Sequence, residues 1–519
     1  MIFKNGSDFD AIIITAEYYD DHPLSPAGVI ARVLDAKGFK VGVIEKPASK
    51  EDFTRLGAPK LFFGITSGSI DSMLNNYTAL NRARAEDETL NERFEPMPDR
   101  AVIFYSNKIR EYFKESKIVI GGIEASLRRF SHYDYWSNKV RGSIIFDTRA
   151  SVLVYGNGEM QAAEIAERLK NGKSLIGIPG TCIIAKEVPE SFEIIPSLKE
   201  VTEDKKKFCR MQISLSNSKN LAQEHNGRYV LQYKSPEYTT EYLDWIYSLP
   251  FSRNLNPKSF LKMARFSVVT HRGCIGKCNF CSLLLHQGDK IISRSEKSIL
   301  EEIKKITKHP LFKGYIDDLG GPSANMYGMD CKTKCDKWCL TCPSLDKSHL
   351  KIIQLLKKAR KIEGIKKIFI RSGIRYDLAL NSQEYIKEIS EHHISGCLKI
   401  APEHFSPNVL SLMNKHAKNF DKFVELFNSL NMKKKQFLRY YLMIGHPGES
   451  REEIVELREK IKNMNNIDQF QIFTPTPMTI STCMYHTELN PYTLKKIKVV
   501  RDFRTKKEHR DIIRRALRH

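Results

Sequence analysis

Short apolar runs alternate with amphipathic stretches along the first third of the chain. The runs are AIIIT, VGVIE, LFFGITSGS, IVIGGIEAS and VLVYGNGE, and most contain or end in glycine or serine. After the first run, Ser25 and Pro26 stand where a helix begins, and Gly38 stands just beyond its end. Strands that alternate with helices predict a parallel, doubly wound sheet over residues 1–180. Such sheets bind ligands beyond the carboxyl ends of their strands.

The same alternation resumes after residue 262. Residues 181–262 are less regular, and we expect a partly helical bridging segment there. Over residues 263–490, six apolar runs alternate with helical stretches; they are FSVVT, YIDDL, KIFIR, CLKIA, RYYLMIG and FQIFT. Six strand–helix units predict a parallel barrel or part of one, here a partial (β/α)6 barrel, with its chemistry at the carboxyl ends of the strands. The predicted fold class is therefore α/β throughout.

The composition is that of a folded chain of more than one domain. A length of 519 residues exceeds one ordinary core, and 41% hydrophobic with 28% charged residues excludes a disordered protein. No apolar run is long enough to cross a bilayer, and the start lacks a signal-peptide pattern. We therefore expect a cytoplasmic protein with no membrane partner. In that reducing compartment, the clustering of seven of the eleven cysteines indicates metal binding instead of disulfides.

Positive charge is in excess along the whole chain. The formal net charge is +22, and the basic tail, residues 491–519, carries eleven Lys or Arg against three Asp or Glu. A basic surface attracts polyanions, so RNA is one candidate partner. The other interpretation is a lysine-rich chain whose charges are solvated helix faces.

Three cysteines follow the first strand of the predicted barrel. Cys274, Cys278 and Cys281 have the spacing C-x3-C-x2-C, with no fourth cysteine nearby. Three thiolates can hold three irons of a 4Fe-4S cluster and leave the fourth iron open to a ligand that is not protein, whereas electron-transfer clusters are closed by four cysteines. The alternative is a closed zinc site with His271 or His286 as its fourth ligand.

This spacing, with Phe280 before the third cysteine, resembles the signature of the radical SAM superfamily. The resemblance implies a 4Fe-4S cluster whose open iron binds S-adenosylmethionine. The reduced cluster then cleaves S-adenosylmethionine to a 5′-deoxyadenosyl radical that abstracts hydrogen from a substrate. It also implies an electron donor such as flavodoxin or ferredoxin. Residues Gly320, Gly321 and Pro322 resemble the glycine motif near the methionine amino group. Ser372 and Arg375, in RSGIR, stand where side chains would hold the carboxylate or ribose; the alternative is a salt bridge within the barrel. The segment MIGHPGES resembles the G-x-PGE end of a later strand.

A closer resemblance is to the YgiQ family of uncharacterised radical SAM proteins. It rests on RLGAPKLFFGITSGSIDSMLNNYTA, VIGGIEASLRRFSHYDYWSNKVRGSI, GGPSANMYGMDC and KIAPEH, and it covers residues 10–490. The resemblance implies a radical SAM enzyme and leaves its substrate unknown. The alternative function is a non-catalytic iron–sulfur or zinc protein that binds nucleic acid.

A second set of cysteines lies in a predicted insertion over residues 328–345. Its members are Cys331, Cys335, Cys339 and Cys342, spaced C-x3-C-x3-C-x2-C. Four soft ligands within twelve residues fit either a second 4Fe-4S cluster or a closed tetrahedral zinc site, with four free thiols as the remaining reading.

The N-terminal domain resembles the cobalamin-binding domain that precedes many radical SAM barrels. The cobalt-ligating D-x-H-x-x-G motif is not met, because the chain reads Asp21-His22-Pro23-Leu24-Ser25. We therefore do not expect cobalamin and favour a domain that shapes substrate access. The aromatic segment His132–Trp136 could stack on a planar substrate, or pack at a domain interface, which we favour.

Overall fold

The computed structural model describes residues 2–87, 92–93, 95–331, 339–415, 419–431, 436–462, 464 and 467–517. The chain divides into two compact units. The N-terminal unit comprises Met1–Glu237, Leu249–Lys262 and Thr474–Lys495, and the barrel unit comprises Tyr238–Ser248, Met263–Phe473 and Lys496–His519.

A ten-stranded sheet forms the centre of the N-terminal unit. In spatial order its strands are Ile2–Phe3, Val41–Glu45, Ala11–Thr15, Phe62–Thr66, Ile118–Ile120, Val152–Val154, Thr181–Ala185, Arg228–Gln232, Leu221–His225 and Glu193–Ile195. The first six are parallel and the next two join antiparallel. Chain order reverses between Ala11–Thr15 and Phe62–Thr66, which is the switch point of a doubly wound sheet.

Helices cover this sheet, and two small hairpins accompany it. The helices are Pro26–Ala36, Lys50–Thr54, Ser72–Asn76, Ala101–Tyr112, Gly122–Ser126, Ile144–Thr148, Glu159–Lys170, Leu198–Glu203, Lys205–Ser214 and Ile480–Thr487; the hairpins pair Glu86–Asp87 with Glu92–Arg93 and His132–Asp134 with Lys139–Arg141. The predicted first helix begins as expected, because the Ser25 side chain accepts from the Gly28 amide.

The segment predicted to be bridging and partly helical contains helices and also strands that were not predicted. Within residues 181–262, four strands extend the N-terminal sheet. The four strands pair with one another, and Thr181–Ala185 also pairs with Val152–Val154, which lies outside the segment and joins it to the sheet. Strands that mix polar and apolar residues give a weak local signal, so long-range pairing decides where they belong.

Six parallel strand segments form the barrel unit. The barrel strands are, first, Val268–Val269; second, Tyr315–Ile316 with Leu319–Gly320; third, Lys367–Ile368; fourth, Cys397–Glu403; fifth, Phe437–Ile444; and sixth, Ile467–Ile472. A short antiparallel pair, His271–Arg272 with Ile292–Ser293, follows the first strand. This confirms the predicted fold class, a doubly wound N-terminal domain followed by a partial barrel.

Helices pack on one side of these strands. They are Thr240–Ser248, Leu283–Gln287, Glu296–Thr307, Leu350–Ala359, Tyr376–Ala379, Gln383–His392, Pro407–Leu412, Phe420–Asn431, Arg451–Lys462 and Phe503–Ala516. Two 3-10 turns, Ala324–Met326 and Cys339–Thr341, belong to the same unit. A third 3-10 turn, Phe260–Ala264, lies where the two units meet in the sequence. Alternate strand residues such as Ile316, Ile368 and Leu398 share one core with the helical residues Ile303 and Phe423. No described helix is long and apolar enough to cross a membrane.

The basic tail contains a packed helix, Phe503–Ala516 (the C-terminal helix). Its Ile513 is fully buried against Ile454, Leu457 and Ile461. Burial also lowers the pKa of Lys506 to about 8. Part of the tail is therefore built into the barrel unit, and its cations are not all solvated.

We expect Ile513→Ala to lower the free energy of unfolding by about 2–4 kcal/mol, because it leaves a cavity in this core. Urea unfolding followed by circular dichroism measures the loss. The matched control is Arg504→Ala on the same helix, where the side chain is 91% exposed and the expected change is within about 0.5 kcal/mol. Equal losses in the two variants would contradict the packing.

Candidate functional site

The cysteine loop, residues 273–282, follows the first barrel strand, and its turn requires glycine at the start. Gly273 has a φ of +84°, and a Cβ there would lie 1.8 Å from the Lys290 carbonyl oxygen. The amide of Cys274 donates to the Gly288 carbonyl at 3.2 Å, and the amide of Cys281 donates to the Cys278 carbonyl at 3.1 Å. The backbone thus holds all three thiols in one compact loop.

Asparagines fasten this loop to the end of the helix Pro407–Leu412. Asn279 donates through its amide to the Met413 carbonyl at 2.9 Å and through Nδ2 to the Leu412 carbonyl at 2.8 Å. In the opposite direction, Asn414 Nδ2 donates a hydrogen bond to the Lys277 carbonyl at 2.8 Å. Phe280 packs against Val409 and its neighbours on this helix. These bonds satisfy carbonyls that a helix end leaves open, so the loop and helix brace each other.

The three cysteines are half-buried beside a guanidinium group. Burial raises the pKa of Cys281 to about 12 and also raises the pKa of Cys274. Arg375 Nη1 lies 3.7 Å from Cys278 Sγ. A Cβ on Gly276 would lie 2.6 Å from the same Nη1, so glycine makes room for the arginine. A positive charge placed here offsets the negative charge of bound thiolates.

No group of three His, Cys, Asp or Glu side chains within the described ranges is arranged to hold a single metal ion. A cubane does not require such a group, because each thiolate binds a different iron and the sulfurs need not converge on one point. The alternative of a zinc site with His271 or His286 stays a prediction.

The predicted glycine motif lies beside two of the predicted side chains. A Cβ on Gly320 would lie 2.2 Å from Ser372 Oγ, and a Cβ on Gly321 would lie 2.6 Å from the buried His271 ring. Pro322, which follows, is half-buried. The glycines therefore permit close approach of the second strand to the first and third. Their contact with S-adenosylmethionine stays a prediction.

Ser372 and Arg375 are held by carboxylate and amide groups of the barrel. Ser372 Oγ donates to Asp318 Oδ2 at 2.6 Å. Arg375 Nε donates to Asp377 Oδ1 at 3.0 Å, and its backbone exchanges two 2.9 Å bonds with the Asn325 side chain. Burial would lower the pKa of Arg375, but the bond to Asp377 and the nearby negative groups raise it, so the group stays charged. Both residues are thus preorganised at the carboxyl end of the third strand.

A buried network in the barrel unit was missed from the sequence. Glu449 accepts from the Gly445 amide at 2.7 Å, lies 3.1 Å from His509 Nδ1, and lies 3.5 Å from His404 Nε2. Burial alone would raise the pKa of Glu449, but the two histidines hold it below its ordinary value. The KIAPEH and HPGE motifs carry His404 and Glu449 directly after neighbouring strands, which was the available signal. No local signal identifies His509 on the C-terminal helix.

This network is linked to the cysteine loop by aromatic contact. His446, in the same turn as Glu449, meets the Phe280 ring edge to face with centroids 6.4 Å apart. Burial lowers the pKa of His446 to about 4, so the imidazole is neutral. Phe280 is thereby positioned between the loop and the turn after the fifth strand.

The second set of cysteines is only partly described. Cys331 is exposed, Cys339 and Cys342 are half-buried, and Cys335 lies outside the described residues. Cys339 and Cys342 pack beside Ile275 and Met326, next to Cys274 of the cysteine loop. A second metal site therefore stays a prediction.

In the N-terminal unit, one carboxylate spans the switch point of the sheet. Glu17 follows Ala11–Thr15, and it accepts from the Ser69 amide at 2.9 Å and from Ser69 Oγ at 2.5 Å, where Ser69 follows the neighbouring strand Phe62–Thr66. Burial raises the pKa of Glu17 from 4.5 to about 7. A side chain of the protein itself thus occupies part of the edge where such sheets bind ligands.

We expect stability to fall as the pH rises from about 4.5 to about 7, because the folded state there binds a proton on Glu17 that the unfolded state has lost. The free energy of unfolding should fall by about 1–3 kcal/mol over this range, and Glu17 should cause no further change above pH 7. Glu17→Gln should remove it, as measured by urea unfolding across this range, while the exposed control Glu111→Gln should keep it. The same fall in Glu17→Gln would exclude this assignment.

His22 is the histidine nearest to where the cobalt-ligating motif would place one, and its side chain contacts another residue of the N-terminal unit. It is fully buried, and its Nε2 lies 3.0 Å from Arg253 Nη1. An arginine only donates, so the Nε2 lone pair is directed at Arg253 and does not suit a cobalt ion. That cobalamin does not bind stays a prediction.

The aromatic segment His132–Trp136 packs within the N-terminal unit. Tyr133 stacks on His486 with centroids 4.6 Å apart, and Tyr135 meets Tyr485 edge to face at 5.7 Å. Both partners lie on the helix Ile480–Thr487. Packing within the unit accounts for these two rings.

Comparison with known proteins identifies the family. The family described as Radical SAM N-terminal matches residues 2–269, the Radical SAM superfamily matches 268–461, and a domain of unknown function, DUF3362, matches 468–516. A UPF0313 protein of Fusobacterium nucleatum is 43% identical over 97% of this chain and 95% of its own. The chain belongs to the UPF0313 family. The YgiQ family is UPF0313, so the predicted membership is confirmed, and this UPF0313 protein is a radical SAM enzyme.

Other relatives extend the same picture. A UPF0313 protein of Methanosarcina acetivorans is 41% identical over 99% of this chain and 77% of its own. The radical SAM methyltransferase TsrM of Kitasatospora setae, solved with cobalamin and a [4Fe-4S] cluster, superposes with a TM-score of 0.53 at 14% identity, over 92% of this chain and 78% of that one. At this identity the likeness to TsrM shows the fold alone. A radical SAM enzyme binds a 4Fe-4S cluster and S-adenosylmethionine, and the UPF0313 protein does the same.

Proposed function

We propose that the UPF0313 protein cleaves S-adenosylmethionine reductively at a cluster held by Cys274, Cys278 and Cys281. When bound, the cluster supplies one electron to the sulfonium, which gives methionine and a 5′-deoxyadenosyl radical that takes a hydrogen atom from a substrate. The observation that carries the proposal is one compact loop with three thiols at the carboxyl end of the first barrel strand.

The residues around the loop support this function by binding and orientation. Arg375, charged and fixed by Asp377, stands beside Cys278. Gly320 and Gly321 let the second strand lie close against Ser372 and the His271 ring, which brings the strand ends together at this site. Phe280 packs against the helix Pro407–Leu412, so one side of the loop is braced by an apolar contact. Each group is therefore placed before the ligand arrives, which lowers the cost of binding.

The test is anaerobic reconstitution with iron and sulfide, followed by reduction in the presence of S-adenosylmethionine. We expect 5′-deoxyadenosine and methionine as products, quantified by liquid chromatography. A physiological electron donor such as flavodoxin or ferredoxin should replace the chemical reductant. A reconstituted, reduced cluster that binds S-adenosylmethionine but never releases 5′-deoxyadenosine would refute the proposal and favour the non-catalytic alternative.

Metal content tests the second set of cysteines. With one cluster and a zinc ion, the protein should hold about four irons and one zinc, and with two cubanes about eight irons and no zinc. A variant with Cys331, Cys335, Cys339 and Cys342 changed to alanine should lose only the additional metal, as measured by plasma emission spectrometry. About four irons and no zinc in the wild-type protein would exclude a second metal site.

A further inference from the structure

The turn after the fifth barrel strand is held by two residues of the basic tail. We define the fifth-strand turn as residues 445–449, which read GHPGE. The amide of Gly448 donates to the Lys498 carbonyl at 2.8 Å. Further along the chain, on the C-terminal helix, His509 Nδ1 lies 3.1 Å from Glu449 Oε1. The tail therefore contacts both the backbone and a side chain of this turn.

The Glu449 carboxylate is fully buried and takes its donors from three segments of the chain. Oε1 accepts from the Gly445 amide at 2.7 Å as well as from His509. His404 Nδ1 accepts from the Ser406 amide at 2.9 Å, which places the ring proton on Nε2. That Nε2 lies 3.5 Å from Glu449 Oε2. A buried carboxylate that loses a donor becomes costly where it stands, so the turn would shift.

The fifth-strand turn in its place braces the helix that fastens the cysteine loop. Asn408 Nδ2 donates to the Gly448 carbonyl at 3.1 Å. Gly448 has a φ of +92°, and a Cβ there would lie 2.2 Å from Leu412 Cδ1, so the turn requires glycine to fit against this helix. The Leu412 carbonyl accepts from Asn279 of the cysteine loop at 2.8 Å. Contacts thus run from His509 to the cysteine loop through one turn and one helix.

We propose that the basic tail holds the S-adenosylmethionine site in its binding geometry, with His509 as a positioning residue. The domain of unknown function that matches residues 468–516 includes His509, and the inference gives this part of the chain a role. A second contact supports it, because the His446 ring of the turn meets Phe280 of the cysteine loop edge to face. A loop held in place beforehand loses less freedom when its ligand binds. This inference rests on the proposed function and adds a positioning residue to that site.

Two substitutions on the same helix separate positioning from packing. His509→Leu removes the Nδ1–H donor of Glu449. Ile513→Ala weakens the helix packing through an apolar side chain, which gives the carboxylate no hydrogen bond. His509→Asn places an amide N–H near the position of Nδ1 and should restore the bond. Glu449→Gln keeps the shape of the side chain without its charge, so the test does not depend on the folding of His509→Leu.

Binding of S-adenosylmethionine to the reconstituted full-length proteins is measured by calorimetry. We expect His509→Leu to raise the dissociation constant about tenfold, as for loss of a hydrogen bond to a charged group. KM for cleavage should rise with it, while kcat stays near the wild-type value. Glu449→Gln should shift the dissociation constant in the same direction. Ile513→Ala, at a temperature where it is folded, should keep the wild-type value, and His509→Asn should recover most of the affinity.

Hydrogen exchange of the same proteins without S-adenosylmethionine gives a readout that is independent of cleavage. In His509→Leu the amides of the cysteine loop and of the fifth-strand turn should exchange faster than in the wild-type protein. In Ile513→Ala the faster exchange should be confined to the C-terminal helix and the helix Arg451–Lys462, against which Ile513 packs. Iron content and circular dichroism check that each variant is loaded and folded.

Three results would overturn the inference. They are equal increases of the dissociation constant in His509→Leu and Ile513→Ala, wild-type affinity in both His509→Leu and Glu449→Gln, and wild-type exchange of the cysteine loop in His509→Leu. Any of these in a protein that cleaves S-adenosylmethionine refutes the inference alone. Faster loop exchange and weaker binding in His509→Leu, with a wild-type protein that binds S-adenosylmethionine but never releases 5′-deoxyadenosine, refute the proposed function alone.

Discussion

Changing any one of Cys274, Cys278 and Cys281 to alanine is expected to reduce 5′-deoxyadenosine formation to below about a hundredth of the wild-type rate. Loss of an outer-shell partner of a metal ligand already costs about 10–100-fold, and loss of the ligand costs more. The asparagine bonds to Leu412 and Lys277 fix the loop, so the two remaining thiols do not shift to take the place of the missing one. The measurement is chromatographic quantification of 5′-deoxyadenosine after anaerobic reduction.

The matched control is Cys397→Ala at the start of the fourth barrel strand, where the thiol is also half-buried. It should keep its iron content and its cleavage rate, which separates loss of a cluster ligand from loss of any thiol. Wild-type rates in all three loop variants would show that the cluster is bound elsewhere. Reduced rates with a full complement of iron would show that the loop positions S-adenosylmethionine without holding iron.

Arg128→Met is expected to lower the free energy of unfolding by about 3–5 kcal/mol, because it leaves a buried carboxylate without its partner. Arg128 is 2% exposed and pairs with Asp71, which is fully buried and also caps the helix Ser72–Asn76. Glu124, buried beside them, has its pKa raised by burial and by Asp71.

A double-mutant cycle with Asp71→Asn isolates this pair. Each single change should cost several kcal/mol, and the double variant should cost less than their sum, since the second change removes the charge that the first left unpaired. The control is Lys60→Met, which breaks an exposed pair with Asp8 in the same unit and should leave the free energy of unfolding nearly unchanged. Urea unfolding measures all four, and equal costs for Arg128→Met and Lys60→Met would contradict the assignment.

Much of the fold was predictable because its signals are local. The alternation of apolar runs with helical stretches, and the Ser25 cap with Pro26 after it, indicated strands and helices that the structure contains. The cysteine spacing indicated the reaction class, since three thiols within eight residues lie together in any fold. The glycines at 320 and 321 were readable as places of close approach, although their neighbours were not.

Several features depend on contacts between distant segments, and the sequence analysis did not predict them. The strands after residue 180 show only a weak alternation of apolar and polar residues. Their position in the fold is set by pairing at the edge of the N-terminal sheet. The basic tail was interpreted from its charge, yet Ile513 and His509 pack inward because the helix Arg451–Lys462 offers an apolar face. Charge alone does not show which side of a helix is covered.

The sequence by itself therefore determined the family, the strand–helix order and the cysteine loop of this UPF0313 protein. The tertiary structure alone decided that Glu449 meets His404 and His509. The physical reason is that periodicity and capping act within a few residues, whereas register between strands and docking of a terminal helix are set by packing across hundreds of residues.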